Sequence, residues 1–211
     1  AFGLPGTFAR HYLKTTWAGA PEHFRPWLIE EQEATSLKSY EPILVPGLFQ
    51  TEAYARAVLQ SEPGITATQV EERVSARLER KSILTRSDPP QITAILDEGV
   101  LQRPVGSPEI MREQLEHLLA LAQYPHITLQ IVPYTAQALF GLAGGFIIAE
   151  RDGRAYAAHI AGQPQGLTTD DRGLIAKLYQ RYDAIRAEAH PQRLSLQMIS
   201  EMVANGHPSW C

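Results

Sequence analysis

Asp97 and Glu98 are adjacent carboxylates that follow Ile92-Thr93-Ala94-Ile95-Leu96, a short β-branched run bounded by turn signals, which reads as a buried strand. Two carboxylates at the carboxyl end of a strand can bind a cation or work as acid and base. Neighbouring strand residues point to opposite faces, however, so one site cannot easily use both. The structural alternative is that one caps the following turn and the other pairs with Arg103. Seven histidines are scattered along the chain, and only His159 falls inside a predicted strand. The one cysteine, Cys211, is the last residue, which leaves no internal disulfide and no CxxC metal site. There is no G-x-S-x-G and no H-E-x-x-H. The glycines at 141, 144 and 145 follow neither phosphate-loop spacing and precede a strand where a helix would be needed. No catalytic residue, metal or cofactor is therefore expected.

A different kind of chemistry is suggested by Pro46-Gly47-Leu48-Phe49-Gln50-Thr51-Glu52-Ala53-Tyr54-Ala55-Arg56-Ala57. Pro-Gly suits a type II turn with Gly47 at positive φ, and the residues after it are good helix formers. Gln50, Tyr54 and Arg56 are hydrogen-bonding side chains set among small and apolar ones, and a spacing of four puts Gln50 and Tyr54 on one helical face. Packed against a sheet, such groups would be buried, and they persist if they bond each other, a ligand or neighbouring backbone. The expected site lies between this helix and the sheet. Gln50, Tyr54, Arg56, Asp97, Glu98, Phe146, Tyr156 and His159 are its candidate ligand-binding residues.

The elements that must position them follow from periodicity. Residues 1–40 read as a helical lead-in of two helices, Thr7 to Trp17 and Trp27 to Lys38, and residues 41–211 as the main domain. Thr68-x-x-Glu71 predicts a capping box. The helix after it carries Val70, Val74 and Leu78 on one side and the basic stripe Arg73, Arg77, Arg80 and Lys81 on the other. Ser107-Pro108 opens another helix, and Ile127 to Val132 alternates like a half-buried strand. Strand, helix, strand in that order suggests a parallel pair. Phe146 to Ala149 and Ala155 to Ile160 flank Asp152-Gly153, a hairpin signal. Leu174, Leu178, Tyr182, Ile185 and Ala189 mark a long helix, and Leu194 to Met202 a shorter one. The fold class is α+β, a small mixed sheet of about four strands flanked by a majority of helices.

The motif PGLFQTEAYARAVL resembles the P-G-L-L-Q-T-E-x-Y-A-R-A motif of an uncharacterised actinobacterial domain. FRPWLIEEQEATSLKSYEP, ILDEGVLQRPVGSPEIMREQLEHLLALA, ITLQIVP and GLAGGFIIAE match further segments in order. That domain sits C-terminal to an XRE-type helix-turn-helix in antitoxin-like transcriptional regulators. The resemblance implies an effector-sensing or protein-interaction domain, with DNA contacted only through a DNA-binding domain upstream. It implies a homodimer and, as effector, a small molecule or a small partner protein. Two places depart from the family pattern: Tyr156-Ala157-Ala158-His159 stands where relatives show a Tyr-Val-Glu-like run, and Ala138-Leu139-Phe140 where they carry a histidine. An enzyme of secondary metabolism using Asp97, Glu98, Tyr156 and His159, and a dimerisation domain without ligand, are the alternative readings.

Composition is that of a globular protein, and the single cysteine fits a reducing cytoplasm. Apolar content of 44% and charged content of 20% are ordinary for a globular protein, and no run of 18 apolar residues exists to span a membrane. A net charge of −4 and pI near 6.0 are opposite to the basic footprint of a nucleic-acid binder. In an electrophoretic titration at physiological salt, the isolated chain is therefore expected not to favour any operator over random duplex by the ~10³ of a specific reader.

Overall fold

Ser36-Leu37-Lys38-Ser39-Tyr40-Glu41 forms the strand around which the sheet is arranged, β1 (Ser36–Glu41). The computed structural model describes residues 19–206 and residue 210, so the expected helix at 7–17 and Cys211 lie outside the described residues. The sequence reading carried the lead-in helix to Lys38. Instead α1 (Arg25–Glu33) stops at Glu33, and Ala34 is already extended. No Gly or Pro marks this stop. Thr35 and Ser36 are weak helix formers, and the strand pairs on both sides, which decides its state.

The sheet has six strands rather than about four. They are β1, β2 (Gln91–Asp97), β3 (Ile127–Val132), β4 (Phe146–Arg151), β5 (Arg154–Ile160) and β6 (Leu167–Thr169). Their order is β3-β2-β1-β4-β5-β6. β2 and β3 run parallel, as the strand-helix-strand pattern predicts, β1 joins them as a third parallel strand that the sequence did not suggest, and β4, β5 and β6 continue antiparallel. β6 escaped the sequence reading because three residues carry no readable alternation. The β4–β5 hairpin turns at Asp152 (φ 52°) and Gly153 (φ 74°), the two positive φ values of a type I′ turn. The register shifts at Ala149/Glu150, which leaves Tyr156 as the extra residue of a bulge.

One sheet face carries Leu37, Ala94, Leu96, Leu129, Ile131 and Ala149 into the main core. That core is completed by α1, α2 (Glu52–Gln60), α4 (Glu98–Gln102), α5 (Pro108–Leu121) and α7 (Gln192–Asn205). The other face, with Tyr40, Ile95, Ile148 and Ala158, is covered by α6 (Arg172–Glu188) through Ile175, Leu178, Tyr182 and Ile185. Ile175 rather than Leu174 begins that stripe. On the second face Glu150 accepts from Lys38 Nζ and Tyr179 Oη, both at 2.6 Å, a satisfied cluster beneath α6. The open edge of β3 is closed by the α6–α7 connection and the first turn of α7: His190 N donates to Ile131 O (2.8 Å), and Ser195 Oγ accepts from Ile131 N (2.9 Å).

The Pro46-Gly47 motif differs from its expected form. Residues Gly47–Phe49 make one 3-10 turn, Gln50 is extended, and Thr51 is the N-cap of α2, accepting from Tyr54 N at 3.2 Å. Gly47 is not at positive φ, so no type II turn forms. The helix begins later than its helix-forming composition suggested because Thr51 caps it. The next helix, α3 (Ala67–Arg80), does have a capping box, but between Thr66 and Gln69 rather than Thr68 and Glu71. Both pairs fit the pattern, and Thr66 is the residue in the extended conformation that a cap needs.

Gln114 of α5, fully buried, fastens this motif: its Nε2 donates to Phe49 O (2.8 Å) and its Oε1 accepts from Thr51 N (2.7 Å). Gln114→Ala would strand a buried carbonyl and a buried N–H. We expect a loss of about 2 kcal/mol or more, read as a lower urea midpoint at unchanged m-value.

Candidate functional site

A cavity of about 1000 Å³ opens where β1 ends and β4 begins, at the boundary between the parallel and antiparallel halves of the sheet. Its walls come from residues 20–24 and Leu28, from Leu44 to Gln50, from the end of α2, from α3 and from the β5–β6 connection. Arg73, Arg77 and Arg80 all line it. Their spacing of four and three places them on one face of α3. Val70 and Val74 pack with Leu59 of α2. Three residues of the basic stripe that periodicity sets away from the core thus line this cavity, while Lys81 lies outside it, its Nζ 3.4 Å from His117 Nε2.

The three arginines are not equivalent. Arg80 is buried and bidentate to Glu31, Nε to Oε1 and Nη2 to Oε2, both at 2.5 Å. Trp27 Nε1 donates to the same carboxylate at 3.0 Å, and the Phe24 ring lies 5.0 Å from the guanidinium. Arg77 has no carboxylate within ion-pair distance among the described residues; its Nη1 donates to Gln50 Oε1 at 2.6 Å. Burial, then the neighbouring charges of Arg80 and Arg73, pull Arg77 down to about 10. A Cβ on Gly47 would stand 3.2 Å from Arg80 Nη1 and 3.9 Å from Arg77 Nε, so this glycine lets both guanidiniums approach the same backbone.

Glu41, at the end of β1, also lines the cavity. Its side chain keeps some open surface towards the chamber while protein surrounds it on the other sides. Burial pushes its carboxyl up to about 8, with Arg80 pulling the other way. Gly145 is required beside it, since a Cβ there would meet Glu41 Oε2 at 2.4 Å. His159 of β5 is packed edge-on to Phe24 (4.9 Å), with Nδ1 3.0 Å from Thr168 Oγ1. Burial, with Arg80 and His23, lowers it to about 4, so its ring is neutral at ordinary pH.

Of the eight residues predicted for the site, the cavity brings together Gln50, Phe146 and His159. Tyr54 is fully buried beside it, and its hydroxyl accepts from Val45 N (3.3 Å), while Gln50 Nε2 donates to Val45 O (2.7 Å). Arg56 lies outside, paired with Glu52 (2.8 Å) and Glu71 along a shallow groove. Asp97 caps α4 by accepting from Gly99 N (2.8 Å). Glu98 accepts from Gln102 Nε2 and Tyr134 N, both at 2.9 Å, instead of pairing with Arg103. Tyr156 donates to the Glu30 carbonyl with the Arg151 guanidinium 4.6 Å from its ring. Glu41, Arg73, Arg77 and Arg80 were missed. The arginine spacing was visible, but nothing local tells an inward stripe from an outward one.

Among the described residues no group of three or more His, Cys, Asp or Glu is placed to hold a metal, and no helix is long and apolar enough to cross a membrane.

Fold and site together define an α+β domain built over an arginine-lined chamber. The chain belongs to the family described as Domain of unknown function (DUF5753), which matches residues 24–201 and so takes in the sheet, α3 and nearly the whole cavity wall. No curated protein and no solved structure matches it.

The two perturbed groups shape stability in opposite directions. Glu41 titrates near 4.5 when unfolded and about 8 when folded. Between those values the unfolded chain has released a proton the folded chain keeps, so stability falls as pH rises through the window. His159, lowered from 6.5 to about 4, makes stability fall as pH drops between those values. Glu41→Gln is expected to remove the decline between pH 4.5 and about pH 8 and leave the loss that His159 causes as pH drops from 6.5 to about 4, measured as urea midpoints from pH 4 to pH 9.

Proposed function

We propose that this chain is the effector-sensing domain of an XRE-type transcriptional regulator and that the arginine-lined chamber is its effector site. The observation that carries the reading is the cavity of about 1000 Å³ with Arg77 on its wall, a desolvated cation facing a neutral amide. Holding a half-buried cation without an anion is costly, and a concave site where apolar side chains meet convergent polar groups suits a small molecule. The regulator part of the reading rests on the resemblance of the Pro46–Leu59 motif to an actinobacterial, antitoxin-like family. In that setting the protein works in the cytoplasm as a homodimer, and DNA is held by a helix-turn-helix domain preceding this one.

A route for the signal is available. Residues 20–24 form part of the chamber wall and lead into α1, which Arg80 holds through Glu31. An occupant that reorders this wall would change how a preceding domain is held. A small partner protein as effector is the companion reading. The enzyme alternative finds less support, because Asp97 and Glu98 are engaged in capping and loop bonds and only His159 of its four residues lines the cavity.

The uncharged dye Nile red tests the chamber directly. It is expected to bind one per chain with a blue-shifted emission. Leu44→Trp, which fills the wall, should abolish that signal while moving the melting temperature by only a few degrees. Equal dye binding by the filled variant, or none by either protein, would reject the site.

A further inference from the structure

Charge around the chamber is distributed unevenly with depth. Glu22 and Glu62 are exposed and stand at its rim. Deeper in, Arg80 is neutralised by Glu31. Glu41 holds its proton below about pH 8, and His159 is uncharged above about pH 4. Half-buried His23 and Arg73 complete the titratable lining. At neutral pH the inner wall is therefore cationic: Arg73 and Arg77 have no carboxylate within ion-pair distance among the described residues, and Arg77 is the one that meets Arg80 and Gln50.

Arg77 commits one hydrogen bond to Gln50 Oε1, and its guanidinium has five donors in a planar fork that suits a carboxylate or phosphate. Gly47 brings Arg80 Nη1 to the same place, the one Arg80 nitrogen that Glu31 does not engage. Beside this polar corner Leu28, Leu44, Val58, Leu59 and Phe146 form an apolar stretch of a wall that is otherwise mixed, with Gln163 and Gln165 on the β5–β6 side. An inorganic ion would leave that surface wet, and an uncharged hydrocarbon would leave Arg77 unpaired.

We infer that the chamber takes an amphipathic organic anion, its carboxylate or phosphate on Arg77 beside Arg80 and its apolar body against Leu44, Val58, Leu59 and Phe146. This inference rests on the chamber being a ligand site and adds the class of ligand. It also fixes a pH dependence. Arg77 keeps its charge to about pH 10, so the change across pH 8 comes from Glu41. Ionised Glu41 repels an anion, and affinity falls as pH rises through that value.

The probes are decanoate, decyl phosphate and decanol below their aggregation concentrations, titrated calorimetrically into the full chain. Either acid is expected to bind about tenfold or more tightly than the alcohol, the size of one charge-assisted hydrogen bond. Arg77→Gln should lose about that factor on the acids and nothing on decanol, whereas a merely structural arginine would move all three. Glu41→Gln should flatten the decline between pH 7 and pH 9. Which acid binds better identifies the head group. Decanol binding as tightly as both acids overturns the inference while leaving the chamber a ligand site by the Nile red criterion. Failure of all three probes to bind also overturns it. Should Arg77→Gln not fold, the acid-to-alcohol ratio on the unaltered chain decides alone.

Discussion

The buried Glu31–Arg80 pair is the contact on which the chamber's shape depends. Taking two charges out of water is expensive, and the attraction between them compensates only when geometry is good and the remaining lone pairs are bonded. Both conditions hold here. The guanidinium meets the carboxylate through two parallel bonds of 2.5 Å, and the Trp27 indole adds a third donor. The pair spans from α1 to the end of α3, so these helices are held at a fixed separation and the space between them stays open. It also sets the chemistry inside, because neutralising Arg80 leaves Arg77 and Arg73 as the lining cations without an ion pair among the described residues.

The Pro46–Leu59 motif contributes mainly through placement. Gln50 bridges the Val45 carbonyl to Arg77, Tyr54 receives the Val45 N–H, and Thr51 starts α2. Gln114 then locks the motif to α5 from the other side. Polar residues in such a chain of bonds are costly to remove singly, since each leaves a partner buried without water. Gln50 is where this structural chain reaches the chamber.

Much of the architecture was legible beforehand, and the failures have a common cause. Ser107 as a cap, the Asp152-Gly153 hairpin, the parallel β2–β3 pair and the α6 stripe are local signals that tertiary structure reinforced. β1 was lost because Ser-Leu-Lys-Ser-Tyr-Glu is a strand only when flanked by β2 and β4. The site suffered in the same way. Phe146 and His159 were chosen from a hairpin, but Glu41 and the α3 arginines meet them only through the sheet order. Asp97 and Glu98 drew notice as a pair of charges, while their work is to cap a short helix and hold the turn at Tyr134.

Arg73, Arg77 and Arg80 belong to a single fourteen-residue helix whose start is fixed by the Thr66–Gln69 box and whose last residue grips Glu31. They consequently move as one body. A ligand drawing on Arg77 by a few tenths of an ångström would not deform a flexible side-chain arm so much as tilt a lever. The pivot of that lever is Arg80, one turn beyond Arg77, anchored through Glu31 to α1, which follows residues 20–24. In mechanical terms a pull on Arg77 reaches α1, and the stretch of cavity wall that precedes it, through a single charged joint.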